Sequence, residues 1–217
     1  MHAREERRNA AIAQEQKAML EEPAQTSPER WRSLLQQLSD LAIADADVRP
    51  ELSREQIEHR WLGEPPATEE QILAAENRLG VRLPPSYRAF LKVSNGWHFP
   101  NQFVGRLAGT DDIAFTRDKD PELIKAWNEG YDAQGVKEAT GKEWPESHLA
   151  ETLLINDPSD FDDAANFMLN PATVRDGEME AWFFSSWNPG ASALPSFWHL
   201  MSNQAINWKH SLDSKRD

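Results

Sequence analysis

Residues 65–97 read PPATEEQILAAENRLGVRLPPSYRAFLKVSNGW, and this stretch decides the fold class. Thr68 is a good N-cap, and Gln71 stands three residues on, where it can complete a capping box. Ile72, Ala75 and Leu79 recur at helical spacing and predict one buried stripe. Gly80 suits the left-handed position that closes a helix. Pro84 and Pro85 block continuation, and Pro85 fits the first position of a second helix. Tyr87, Phe90 and Leu91 give that helix its apolar face, and Asn95-Gly96 ends it and turns the chain. Two short helices joined in this way have to pack on something larger.

Upstream, Ser27-Pro28-Glu29 predicts another helix start, with a side-chain cap, a proline at the first position and an acid near the positive end of the dipole. Trp31, Leu34, Leu35, Leu38 and Leu41 supply its stripe. Ser53 with Gln56 predicts a further capped helix carrying Ile57 and Trp61 and stopping at Gly63. Residues 1–26 read as a polar arm, mobile or helical, whose apolar side chains Ile12, Met19 and Leu20 are too sparse for a strong buried face.

Downstream of Gly96 the period changes. Residues 103–107, 112–116, 151–155 and 165–169 predict short strands, the last closed by Asn170-Pro171. Pro121 to Gly130 predicts a helix with Leu123, Ile124 and Trp127 inward, and residues 131–150 an acidic loop with at most a helical turn. Asp176-Gly177 reads as a turn into Met179–Phe184, the strongest strand pattern. Ser196 predicts the cap of a last helix with Phe197, Leu200 and Met201 on its core side. Helices first, then strands and one late helix, predict an α+β domain over residues 27–217 with a mostly antiparallel sheet.

The chain has 217 residues, no cysteine and a formal net charge of −13. Without Cys there are no disulfides, zinc–thiolate sites, iron–sulfur clusters or thiol nucleophiles. The charge argues against a direct grip on nucleic acid. It is also unevenly placed: residues 109–163 hold five Lys/Arg against fifteen Asp/Glu, a net of −10, and each remaining segment (1–30, 31–108 and 164–217) nets −1. This acidic insertion reads either as a solvated loop or as a surface that steers a basic partner. Apolar runs fall far short of the roughly 18 residues of a spanning helix. The N-terminus lacks the apolar core of a secretory signal, so a cytoplasmic location is expected.

Catalytic and cofactor motifs are absent. There is no phosphate-cradling or dinucleotide glycine loop and no HExxH, and the six His (2, 59, 98, 148, 199 and 210) lack helical metal-ligand spacing. Ser185, Ser186 and Ser192 do not sit in a nucleophile turn. Asp157-Pro158-Ser159-Asp160-Phe161-Asp162-Asp163 clusters carboxylates of the kind calcium takes, but lacks the required Gly and distal Glu. It reads as an acidic turn, with Asn156 and Asp157 bonding the local backbone. Glu178 and Glu180 share one strand, which cannot place them across a substrate. Most of the nine Trp read as core, whereas Trp97, beside the His98-Phe99-Pro100 loop, is expected to line a cleft.

The segments Pro66–Glu70, Glu76 with Leu79-Gly80, Leu83–Tyr87, Phe90-Leu91 and Ser94–Trp97 resemble the helical opening motif of the SUKH superfamily. Leu169–Pro171, the Gly177–Trp182 strand, Trp187–Ala191 and Ser196-Phe197 are similar to its second half. The resemblance spans about residues 27–202, apart from 117–150. It implies a curved sheet flanked by helices. It also implies one of two roles: a bacterial immunity protein that neutralises a toxin inside the cell, or an intracellular regulator of the fungal cell-wall type.

The expectation is therefore a non-enzymatic immunity protein with no cofactor and no metal, binding a basic, nuclease-like toxin domain. Asp111, Asp112, Asp157, Asp160, Asp162 and Asp163 would stand in for phosphates, and Trp97 would be an aromatic anchor. An adaptor that binds host proteins is the alternative, and a hydrolase using Glu178 and Glu180 ranks third.

Overall fold

A computed structural model describes residues 2–133, 145–157, 165–185 and 190–215. The chain opens with helices α1 (His2–Glu21), α2 (Pro28–Ala44), α3 (Arg54–His59), α4 (Glu69–Leu79) and α5 (Pro85–Leu91). Two short strands follow, β1 (Trp97–His98) and β2 (Arg106–Leu107), and then β3 (Ala114–Phe115). Helices α6 (Thr116–Lys119) and α7 (Pro121–Ala133) and a 3-10 stretch (Pro145–Glu151) lead to β4 (Leu153–Leu154). β5 (Ala165–Arg175), β6 (Glu178–Ser185), β7 (Ala191–Leu194) and α8 (Phe197–Lys215) complete it.

The local signals form as the residues dictate. Ser27 accepts from the Arg30 N–H, and Ser53 and Thr68 each close a capping box with Gln56 and Gln71. Gly80 ends α4 at φ +66°. Asp176 and Gly177 both have positive φ, 52° and 81°, as a type I′ hairpin turn requires. Every strand pairing among the described residues is antiparallel, and the larger sheet runs β3-β4-β5-β6-β7. The fold is α+β, as expected.

The pleat sorts the sheet's side chains to two faces. Leu153, Phe167, Leu169, Met179 and Ala181 enter the main core, beneath α2, α5 and α8. There Trp31 packs on Phe90, Phe197 and Trp198, with centroids 5.1–5.6 Å apart. Leu154, Met168, Trp182 and Phe184 face the other way, against Leu123, Ile124 and Trp127 of α7. Residues 109–163 are thus partly structural: β3, β4 and α7 belong to the sheet and to the layer behind it.

Several boundaries differ from expectation. β2, β3 and β4 are shorter than their patterns, because only two residues of each pair in a ladder. β5 is longer and runs through Pro171. A bulge between Asn170 and Val174 takes up the proline, and Asn170 Oδ1 accepts from the Ala172 N–H there. α3 stops not at Gly63 but at Arg60, which itself adopts the left-handed conformation at φ +53°. Gly63 answers to crowding: an added Cβ would lie 2.7 Å from Trp97 Cζ3 and 2.8 Å from Trp61 Nε1.

The N-terminal arm is the helix α1, held to α8 mainly by polar contacts. Glu15 meets Lys209 and His210 at 3.5 and 3.0 Å, Gln16 donates to Asn203, and Met19 is buried.

Candidate functional site

The β1–β2 ribbon carries the candidate surface. Its register pairs Trp97 with Leu107 and His98 with Arg106. Opposed residues share a face, so the alternation sends one pair inward and the other outward. Trp97 and Leu107 are both fully buried. Trp97 packs edge-on to Trp61 at 5.0 Å. This corrects the expectation for Trp97: the close approach of Gly63 draws its ring into the core, and it offers a partner no surface.

His98 and Arg106 point outward, and each has a carboxylate neighbour. His98 Nε2 lies 3.0 Å from Glu64 Oε1. Arg106 lies 3.3 Å from Asp112 Oδ2, and Lys119 donates to the Asp112 carbonyl. The Arg106 carbonyl accepts from the Asp157 N–H at 3.3 Å, and Leu107 bridges Asn156. The Asn95-Gly96 turn brings the next loop into place, with Asn95 Oδ1 accepting from the Thr110 N–H. Asp111, Asp112 and Asp157 are all exposed; the Asp112 carboxylate meets the Arg106 side chain, and the Asp157 backbone is held beside Arg106. Asp160, Asp162 and Asp163 lie outside the described residues.

Beside His98 opens a groove of about 870 Å³, lined among others by Arg32, Glu51, Glu55, Trp61, Glu64 and His98. The ribbon, its flanking loops and the groove together carry Glu51, Glu55, Glu64, Asp111, Asp112 and Asp157 against Arg32, Arg106 and Lys119. Glu64, His98, Arg106 and Trp61 were missed as site residues. Trp61 reads from sequence as helix core, and only the left-handed Arg60 takes it off α3. The outward placement of His98 and Arg106 follows from a pairing register that two-residue strands do not announce.

Other polar groups have structural partners. Asn156 is buried and accepts from the Phe167 N–H at 2.7 Å, which fixes β4 to β5 rather than shaping a turn. Glu178 is buried at the start of α5, accepting from the Ser86 N–H at 2.8 Å and the Ser86 hydroxyl at 2.6 Å. Glu180 accepts from Trp182 Nε1, so the two glutamates serve different partners. Ser185 is buried, Ser192 pairs with Phe183 in β7, and Ser186 lies outside the described residues. Ser196 and His199 form a buried pair, Oγ to Nδ1 2.7 Å. His199 Nε2 donates to the Glu22 carbonyl at 2.9 Å, so Nδ1 accepts from the serine, and the pair ties the α1–α2 linker to α8. Tyr87 is fully buried, and burial pushes its hydroxyl pKa up. Among the described residues no three His, Asp or Glu side chains form a metal-holding group, and no helix is long and apolar enough to cross a membrane.

Taken together, these features define an α+β domain that displays an acidic surface beside a two-stranded ribbon. The chain belongs to the SMI1/KNR4 family (SUKH-1), whose model matches residues 66–202. The match begins after α3 and ends within α8, later than the residue 27 from which the resemblance is expected. Membership fits an immunity role or a regulatory one. None of the curated proteins matches the sequence significantly.

Proposed function

We propose that the protein is a non-enzymatic immunity protein that binds and neutralises a basic, nuclease-like toxin domain inside the cell that makes both. The observation that carries this reading is the excess of carboxylates, six against Arg32, Arg106 and Lys119, on the β1–β2 ribbon's flanking loops and in the groove beside it. Such a surface complements a cleft built for phosphate. Its field speeds encounter with a cationic partner, and the carboxylates that become desolvated in the complex give specificity. Asp111, Asp112, Asp157 and Glu64 are the proposed contacts, and Trp61 replaces Trp97 as the aromatic wall.

The test begins with co-expression alongside a toxic neighbouring gene, where rescue of growth is the expected result. On the complex, raising salt from low to physiological should slow association about ten-fold. Converting Asp111, Asp112 and Asp157 to Asn together with Glu64→Gln should lower the association rate more than it raises the dissociation rate. Association indifferent to both changes refutes this surface. Absence of any toxin gene beside this one favours the second reading, an intracellular adaptor or regulator, which family membership equally supports.

A further inference from the structure

A second groove lies away from the acidic ribbon, between the start of α2, α5 and the β5–β6 turn. Its volume is about 720 Å³, and its walls include Leu83, Pro85, Ala89, Val174 and Met179. Val174, just after the β-bulge, is 52% exposed, the most open large apolar side chain among the described residues. The charged residues lining the groove are Arg82, Arg88 and Lys92, with no carboxylate among them. Glu69 pairs with both Arg88 and Lys92, so one acid is shared between two cations, and Glu76 takes the other side of Arg88. Arg82 is exposed and has no ion pair among the described residues.

We propose that this groove docks a short acidic segment of a partner protein that carries one bulky apolar side chain. The apolar walls accept the side chain, and removal of their surface from water drives the contact. The cationic rim receives the flanking carboxylates. Arg82 does so without giving up an existing partner, and Lys92 does so by leaving to Arg88 the acid the two share. The chain's net −13 is concentrated in residues 109–163, so an acidic segment is repelled there and finds opposite charge here. The volume suits a few residues, within the roughly 300–1,000 Å³ of ordinary ligand clefts. The proposal does not depend on the neutralising role.

The probe is a short fluorescein-labelled peptide with Leu-Phe flanked by aspartates, titrated with the full-length protein and followed by anisotropy. Saturable binding is expected. Arg82→Glu should weaken it about ten-fold, since reversal removes one attraction and adds one repulsion. Val174→Thr, which keeps the shape and replaces a methyl with a hydroxyl, should weaken it about three-fold. Both positions are exposed, and unchanged melting of each variant separates lost docking from lost fold. Equal binding of a peptide with lysines in place of the aspartates, or unchanged affinity in Arg82→Glu, overturns the proposal. So does self-association of the peptide-free protein that Val174→Thr abolishes, because the groove would then belong to a second copy.

Discussion

Asp45 offers the sharpest test of how the helical layer is held. It caps the C-terminus of α2, and its side chain is wholly buried. Trp208 Nε1 and Gln102 Nε2 both donate to Oδ2, at 2.7 and 2.6 Å. The Asp47 N–H and Lys215 Nζ face Oδ1, at 3.1 and 3.5 Å. Asp45→Asn turns one oxygen into an NH₂ donor, and whichever way the amide turns, one pair of donors meets a donor. Hydrogen bonds to a charged group contribute about 1.5–3 kcal/mol each, so the variant should lose about 3 kcal/mol. Asp45→Ala should lose about 3–5 kcal/mol, as when one partner of a buried ionic group is removed. At this chain length 1 kcal/mol moves Tm by about 2–4 °C, so the Asn variant should melt roughly 6–12 °C lower.

Burial alone would push the Asp45 carboxyl up. Donation from Trp208, Gln102 and the Asp47 N–H, with the nearby Lys215 charge, holds it below its ordinary value instead. A depressed carboxyl stabilises the fold above its unfolded-state pKa, and the contribution fades as pH falls through the folded-state value. The gap between wild type and Asp45→Asn in urea unfolding should therefore be full at neutral pH and narrow below about pH 4. A neutral-pH gap under about 1 kcal/mol, or one constant into acid, refutes the account.

Two further substitutions probe the scaffold. Gly63→Ala pushes a methyl against Ser94 Oγ and both tryptophan rings, and should cost about 1–3 kcal/mol by overpacking, with altered tryptophan emission as a second readout. Glu178→Ala strands the Ser86 N–H and hydroxyl at the head of α5 and should cost about 2–4 kcal/mol, and Glu178→Gln less. Chemical denaturation of Glu178→Ala, Ser86→Ala and the double variant isolates the pair's coupling.

What could be read in the sequence was local. Ser27, Ser53, Thr68 and Gly80 cap their helices because a cap depends on residues within one turn. Asp176-Gly177 makes its turn because both positions tolerate positive φ. The errors arise where distant chain decides. Gly63 resembles a helix stop, yet it is selected by crowding from Ser94 and Trp97, which the chain brings back from beyond α5, together with the neighbouring Trp61. Pro171 reads as a strand end, and the bulge that accommodates it exists only against β6. Asp45 gives no signal at all, since its donors stand at positions 47, 102, 208 and 215. The acidic surface was half legible: charge density pointed to Asp111, Asp112 and Asp157, and the ribbon that adds Glu64 was not visible.

The order of the larger sheet follows the order of the chain, β3-β4-β5-β6-β7. No strand has to be threaded between two others, so the order of the sheet sets no fixed length for the links at β3–β4 and β4–β5; within the first, α7 is held by its packing on Trp182 and Phe184. Doubling such a link costs only about 0.6 kcal/mol in closure entropy. Those two links lie within residues 109–163, where the excess charge is concentrated. Insertion and deletion in these links can thus change the charge of the chain while the β5–β6 hairpin and the helices beneath it stay as they are.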